Sequence, residues 1–306
     1  MFRSKTIVAM FLLVGCGTST ARGRSDDAIL QVDLSHPAFD MRGGIGASWH
    51  ALSLDIPLEN EKYAFPAREE APRGSGYGGN PPVSNDKLWK QLYAQAEWLG
   101  LDFLRVEVSQ RMYEPERGKF DWDNVEMQAL YHILDWCEAH HADVFLQQFW
   151  GHVEWNAMPG VHPLISAPKS VDDFGEGLAT LMEHLVRTRH YSCIHWLAIT
   201  NEPPGGSWGY WWENGSNPSQ PLSAAFRAVR TALDKRGLTL PLSGPDWTDL
   251  PAFDAAKIDF DASIGAYDIH SYQGVDATGQ RTSNSGRRGH IPMENRFFLL
   301  NLAICN

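Results

Sequence analysis

Residues 196–206 read Trp196-Leu197-Ala198-Ile199-Thr200-Asn201-Glu202-Pro203-Pro204-Gly205-Gly206. The apolar run Trp196 to Ile199 suits a buried strand, and the Pro-Pro-Gly-Gly that follows stops it at once. A carboxylate such as Glu202 at the C-terminal lip of a buried parallel strand stands where α/β barrels and open α/β sheets place their chemistry. Taken alone, Asn201-Glu202-Pro203 is equally compatible with an exposed turn. The neighbouring chain decides between the two.

That chain alternates. Gly43 to His50 reads as a first strand with its exit loop, and Lys87 to Leu99 as a helix with Leu88, Leu92 and Leu99 on one side and Gly100 as its stop. Phe103 to Val108 is a second strand. Met127, Leu130, Tyr131, Leu134 and Cys137 then recur at helical spacing, and Val144 to Trp150 is a third strand. Ser170 with Asp173 opens a helix that carries Phe174, Leu178, Leu181 and Leu185. After the Trp196 strand come a helix from Leu222 to Arg236 stopped by Gly237, a fifth strand from Leu238 to Pro245 and a sixth from Ala266 to Tyr272. Strand and helix in strict alternation imply parallel strands with helical crossovers. Polar and aromatic residues follow strand after strand on the same end, which favours a (β/α)8 TIM barrel over a doubly wound sheet.

A chain of 306 residues accommodates one such barrel, which needs roughly 250. The net charge of −11 and pI of about 5.5 argue against nucleic acid as a partner and suit a neutral substrate. Twelve tryptophans fill a core or offer rings on which the C–H faces of sugars stack. Residues 60–85 are rich in Pro, Gly and charge and read as a long surface loop. Gly74, Gly76 and Gly79 in it match GxGxxG, but Pro81-Pro82 follow where a dinucleotide site would start a helix.

Residues 1–22 read as a signal peptide: Arg3 and Lys5 precede a short apolar core from Ile7 to Val14. Leu13-Val14-Gly15-Cys16 resembles a bacterial lipobox, with Cys16 the lipidated residue; cleavage by an ordinary signal peptidase near Ala21 is the alternative. Either reading makes the protein exported, with membrane association only through a lipid anchor. Residues 23–40 form a polar leader and 41–306 the partial barrel. Cys137, Cys193 and Cys305 show no CxxC spacing, so no thiolate metal site is expected, and no cofactor.

From about residue 41 to 274 the chain resembles the clan of retaining glycoside hydrolases on (β/α)8 barrels, nearest to cellulase-like family 5. Asn201-Glu202-Pro203 after the fourth strand is similar to the clan's acid/base motif, and the resemblance makes Glu202 the proton donor. It also implies that Arg105 holds the nucleophile ionised, that Asn201 binds the sugar 2-hydroxyl, and that His270 and Tyr272 form the pair at the sixth strand. Trp49 and His50 after the first strand, Trp150 and His152 after the third, and Trp247 after the fifth complete the substrate-binding set. Of these, Trp49, Trp150 and Trp247 are the expected platforms for sugar rings. The expected substrate is a β-linked polysaccharide or oligosaccharide.

Retaining enzymes need two carboxyl groups about 5–5.5 Å apart, one a proton donor and one a nucleophile. In this clan the nucleophile is a glutamate ending the seventh strand. The only glutamate after the sixth strand is Glu294, ahead of the apolar run Phe297-Phe298-Leu299-Leu300, and at Leu300 and Asn301 no carboxylate emerges. With one choice of codons, residues 294–306 read two bases later give Lys-Pro-Phe-Phe-Leu-Ala-Glu-Phe-Gly-Asn-Leu-Gln, which resembles the clan's nucleophile strand. A frameshift between about residues 275 and 293 is therefore expected, leaving 275–306 out of frame and the barrel incomplete after its first six or seven strands; a divergent tail is the alternative. Two further readings compete with an exported glycosidase. One is a catalytically silent carbohydrate-binding lipoprotein; the other is metal-dependent hydrolysis through His50, His152 and His270, which no HxH or HExxH spacing supports.

Overall fold

Seven parallel strands form one sheet in chain order, the arrangement that winds a barrel rather than a doubly wound sheet. They are β1 (Ile45–His50), β2 (Leu101–Ser109), β3 (Asp143–Trp150), β4 (Ile194–Ala198), β5 (Leu242–Trp247), β6 (Ala266–His270) and, after the antiparallel pair β7 (Gln273–Val275) and β8 (Arg281–Ser283), β9 (Phe298–Asn301). The computed structural model describes residues 44–51, 80–150, 153–160, 166–201, 222–247, 260–270, 273–275, 281–283 and 298–301. Of the two units into which the chain divides, Met1–Arg42 and Gly43–Asn306, all described residues belong to the second. The signal peptide, the lipobox with Cys16, and the polar leader thus lie outside the described residues. The fold is a partial (β/α)8 barrel.

Helices α1 (Asp86–Leu99), α3 (Val125–His140), α4 (Val171–Glu183) and α5 (Leu222–Lys235) carry the crossovers, with a single turn, α2 (Gln110–Tyr113), directly after β2. Their ends have local causes. Asn85, Asn124 and Ser170 accept hydrogen bonds from backbone N–H groups of the first turns of α1, α3 and α4, and Gly100 closes α1 in the left-handed conformation at φ 64°. On α3 all five residues of the periodic set are buried, as their spacing predicts. On α1 the buried face differs from the expected one: Trp89 and Ala96 are in the core, while Leu88 and Leu99 are exposed at 40% and 49%. Trp89 wins because its ring stacks on His132 of α3 at 4.4 Å, where no leucine offers comparable contact.

β5 begins four residues later than the apolar run from Leu238 suggests. Arg230 of α5 explains this, since its guanidinium donates to the carbonyls of Leu238 and Leu240 at 2.6 and 2.7 Å and so takes acceptors that a ladder would use. The seventh position in the sheet falls to Phe298–Asn301, which pairs with β6 so that Asn301 lies opposite His270. Glu294 precedes that strand and is outside the described residues.

Gly175 brings the backbone of α4 close to that of α5. A Cβ added at Gly175 would stand 2.9 Å from the Ala228 carbonyl carbon and 3.1 Å from the Val229 nitrogen. Both are backbone atoms that cannot swing aside. Gly175→Ala is therefore expected to cost about 1–3 kcal/mol of stability despite its better helix propensity. Denaturant unfolding that shows the variant as stable as the parent would refute the close contact.

Candidate active site

Strand register sets the site. One row across the sheet runs His50, Glu107, Gln147, Ala198, Ser243, Ala266. Two residues earlier on the first strands lie Ser48, Arg105 and Phe145, so Arg105, Glu107 and Gln147 share the barrel-interior face. His50, Trp150, Trp247 and His270 are the last residues of β1, β3, β5 and β6. Four expected site residues thus have their backbones at the same rim of the sheet, as the sequence implied.

The chain leaving β4 meets this face. Arg105 Nη2 donates to Asn201 Oδ1 at 2.6 Å, a contact between residues 96 apart in the chain, and Arg105 Nη1 lies 3.4 Å from Glu107 Oε1. Both side chains of that ion pair are shielded, at 11% and 4% exposure. Gln147 Nε2 donates to the Thr200 carbonyl at 2.6 Å and to Asp246 Oδ2 at 3.0 Å. Asp246 is fully buried and takes a left-handed φ of 63°, a conformation that aspartate tolerates better than most residues. Asp268 of β6 is also fully buried, opposite Pro245 and Leu299 in the ladders. Among the described residues, Arg105 thus pairs with Glu107 and Gln147 with Asp246 inside the barrel, and Asp268 is a further buried carboxyl group on β6.

Among the predicted residues, the structure joins Arg105 and Asn201 directly. Trp49 requires a correction. Its partner across the ladder is Val106, which is buried under the helices, and its ring packs 6.4 Å from that of Trp89 and 6.2 Å from that of Trp136. Its indole N–H donates to Asn80 Oδ1 at 2.7 Å. Strand alternation turns Trp49 outward, away from Ser48 and Arg105, so it cements β1 to α1 and α3 instead of receiving a sugar. Glu202, His152 and Tyr272 lie outside the described residues, as do the side chains of His50, Trp150, Trp247 and His270.

Glu107, Gln147, Asp246 and Asp268 were not anticipated. Glu107, Gln147 and Asp268 are polar residues that the two-residue period of their strands turns inward, and that alternation was the available signal for those three. Asp246 falls at the register shift between Pro245 and Trp247, where alternation gives none. Sequence could not separate Gln147 from Gln148, whose side chain faces the opposite way and accepts from the Tyr113 hydroxyl at 3.1 Å. Glu114 is a decoy. Burial pushes its carboxyl above the usual range, against the opposing hydrogen bonds from Gly118 and Gln110. Its contacts are with the α2 turn and the loop that follows, and its backbone carbonyl accepts from Trp155 Nε1 at 3.0 Å. Such a shift accompanies structural burial as readily as catalysis. Among the described residues no group of three His, Cys, Asp or Glu side chains is placed to hold a metal ion.

The family model for cellulase, glycosyl hydrolase family 5, matches residues 67–297. No curated protein sequence matches the chain. Among solved structures, a family 39 glycoside hydrolase from the gut symbiont Bacteroides cellulosilyticus WH2 is 16% identical, with 62% of this chain and 36% of that one covered and a TM-score of 0.44. An endo-β-1,4-glucanase from Xanthomonas axonopodis pv. citri is 16% identical over 62% of this chain and 57% of its own, with a TM-score of 0.42. Endo-glycoceramidase II from Rhodococcus sp. is 15% identical over 60% and 51%, also at 0.42. The chain therefore spans between about a third and three-fifths of the length of these three structures.

Removing Arg105 tests the pairing at the centre of the site. Arg105→Met strips Asn201 of its donor and Glu107 of the guanidinium, and should lower stability by about 3 kcal/mol. Arg105→Lys keeps the charge and should lose less. Equal unfolding free energies for Arg105→Met and the parent would refute it.

Proposed function

The chain belongs to glycosyl hydrolase family 5, the cellulase family, and from that premise we propose that it acts on β-glycosidic bonds of a polysaccharide or oligosaccharide with Glu202 as the proton donor. One observation carries the reading. Asn201, the residue before Glu202, is tied at 2.6 Å to the buried arginine of β2, at the rim where barrel enzymes work. That tie supports Asn201 as the group that meets the sugar 2-hydroxyl, and the adjoining carboxyl as the acid facing the leaving oxygen.

A retaining double displacement also needs a carboxylate nucleophile. The strand beside β6 presents Asn301 opposite His270, and asparagine cannot form the covalent sugar ester. For the chain as written, we read the residues at hand as the proton-donating half of the site. A small anion can then complete the reaction from outside. Azide bonds to the anomeric carbon, the bond to the leaving oxygen breaks, and Glu202 gives that oxygen its proton, leaving a glycosyl azide, a free alcohol and the Glu202 carboxylate. We further read the protein as exported, with Cys16 of the Leu13-Val14-Gly15-Cys16 box lipidated.

Aryl β-glycosides with azide test the acid role. A dinitrophenyl leaving group needs no proton and a phenyl one does, so Glu202→Gln should reduce phenyl glycoside cleavage by roughly 10²–10⁴-fold and dinitrophenyl cleavage far less. Equal losses on both substrates would sink the assignment. Binding of β-glycan with no cleavage of either aryl glycoside, azide present, would favour a silent carbohydrate-binding lipoprotein. For export, labelled palmitate should enter the protein and be lost in Cys16→Ala; label retained in that variant would rule the anchor out.

A further inference from the structure

We infer that Gln147 and Asp246 are positioning residues for the proton donor, acting through the main chain at the exit of β4. The inference rests on reading Glu202 as that donor and adds how its direction is set.

The main chain at this exit has little ladder to hold it. β4 ends at Ala198, and its pairing with β5 consists of two registered pairs, Leu197 with Leu242 and Ala198 with Ser243. Its pairing with β3 ends at Gln147 opposite Ala198. Ile199, Thr200 and Asn201 continue beyond both ladders, yet Ile199 and Thr200 are fully buried. A buried carbonyl there must find a donor from a side chain.

Gln147 supplies it. The side chain rises from β3, reaches the Thr200 carbonyl at 2.6 Å and continues to Asp246 Oδ2 on β5 at 3.0 Å, so it bridges the two strands that flank β4. Both neighbours of the amide nitrogen are acceptors, which fixes the amide with its NH2 end toward them. Asp246 keeps that end in place from a backbone conformation few other residues accept. Arg105 holds the next residue, Asn201, by its side chain. Thr200 and Asn201 are thus clamped in series, one through its carbonyl and one through its amide. The peptide that leads into Glu202 inherits the direction.

Loss of the Gln147 bridge should therefore misdirect the acid without emptying the sugar cleft. In the full chain with azide, Gln147→Met and Asp246→Leu are expected to lose about ten- to a hundredfold in turnover of the phenyl glycoside, with much smaller change in KM and in dinitrophenyl glycoside turnover. Asp246→Asn keeps an acceptor for the Gln147 amide and should recover most of what Asp246→Leu loses. A general packing defect would depress both substrates together, and that result overturns the inference. Hydrogen exchange supplies a readout independent of turnover. The peptide spanning residues 196–204 should exchange faster in Gln147→Met while the α3 and α4 peptides stay protected, and unchanged protection there also overturns it. Should Glu202→Gln leave the phenyl to dinitrophenyl ratio unmoved, the proton-donor reading fails; local loosening in Gln147→Met would still establish the clamp, and its absence would end both.

Discussion

Among the described residues the fourth strand has no ladder partner on either side beyond Ala198, yet the next two residues, Ile199 and Thr200, stay fully buried. Side chains take over from main-chain pairing there. Gln147 holds the Thr200 carbonyl and Arg105 holds the Asn201 amide, each at 2.6 Å. These bonds come from β3 and β2, so the two strands before β4 decide where its exit points. The arrangement depends on parallel pairing in chain order, which brings residues about a hundred positions apart onto one interior row.

Keeping this polar group inside the barrel costs stability. Glu107, Asp246 and Asp268 are at most 4% exposed, and desolvating a carboxylate without compensation costs several kcal/mol. Arg105 offsets part of that for Glu107 by its charge at 3.4 Å, and Gln147 contributes a donor to Asp246. The helix layer outside is of the opposite kind. Trp89, Tyr113, Phe174 and Phe226 lie fully buried in the apolar core, and Trp49 packs against it by its outward turn. An apolar outer layer of this size can carry a strained, polar interior.

The places where sequence reading erred share a cause. Leucine periodicity pointed to Leu88 and Leu99 as the buried face of α1, but stacking of Trp89 on His132 rotated the helix by one position. The start of β5 moved because Arg230, on a different element, occupies the carbonyls of Leu238 and Leu240. Trp49 was assigned to the cleft from its nearness in sequence to a strand end, whereas the parity of β1 sends it to the helices. In each case a contact with a distant residue overrode a local pattern.

Local sequence was sufficient for the alternation of strand and helix, for the helix start at Ser170 and the stop at Gly100, and for the common rim at which His50, Trp150, Trp247 and His270 end their strands. Those features depend on neighbours within a turn or on the two-residue and 3.6-residue periods, which a linear chain displays openly. The resemblance to a known motif also singled out Arg105 and Asn201 separately, and the structure adds that the two are bonded to each other. Only the tertiary structure decided which of two adjacent glutamines faces the barrel and that Asp246 meets it from two strands away. Such choices follow from register and from which buried acceptor lacks a ladder partner, and both are properties of strands assembled together.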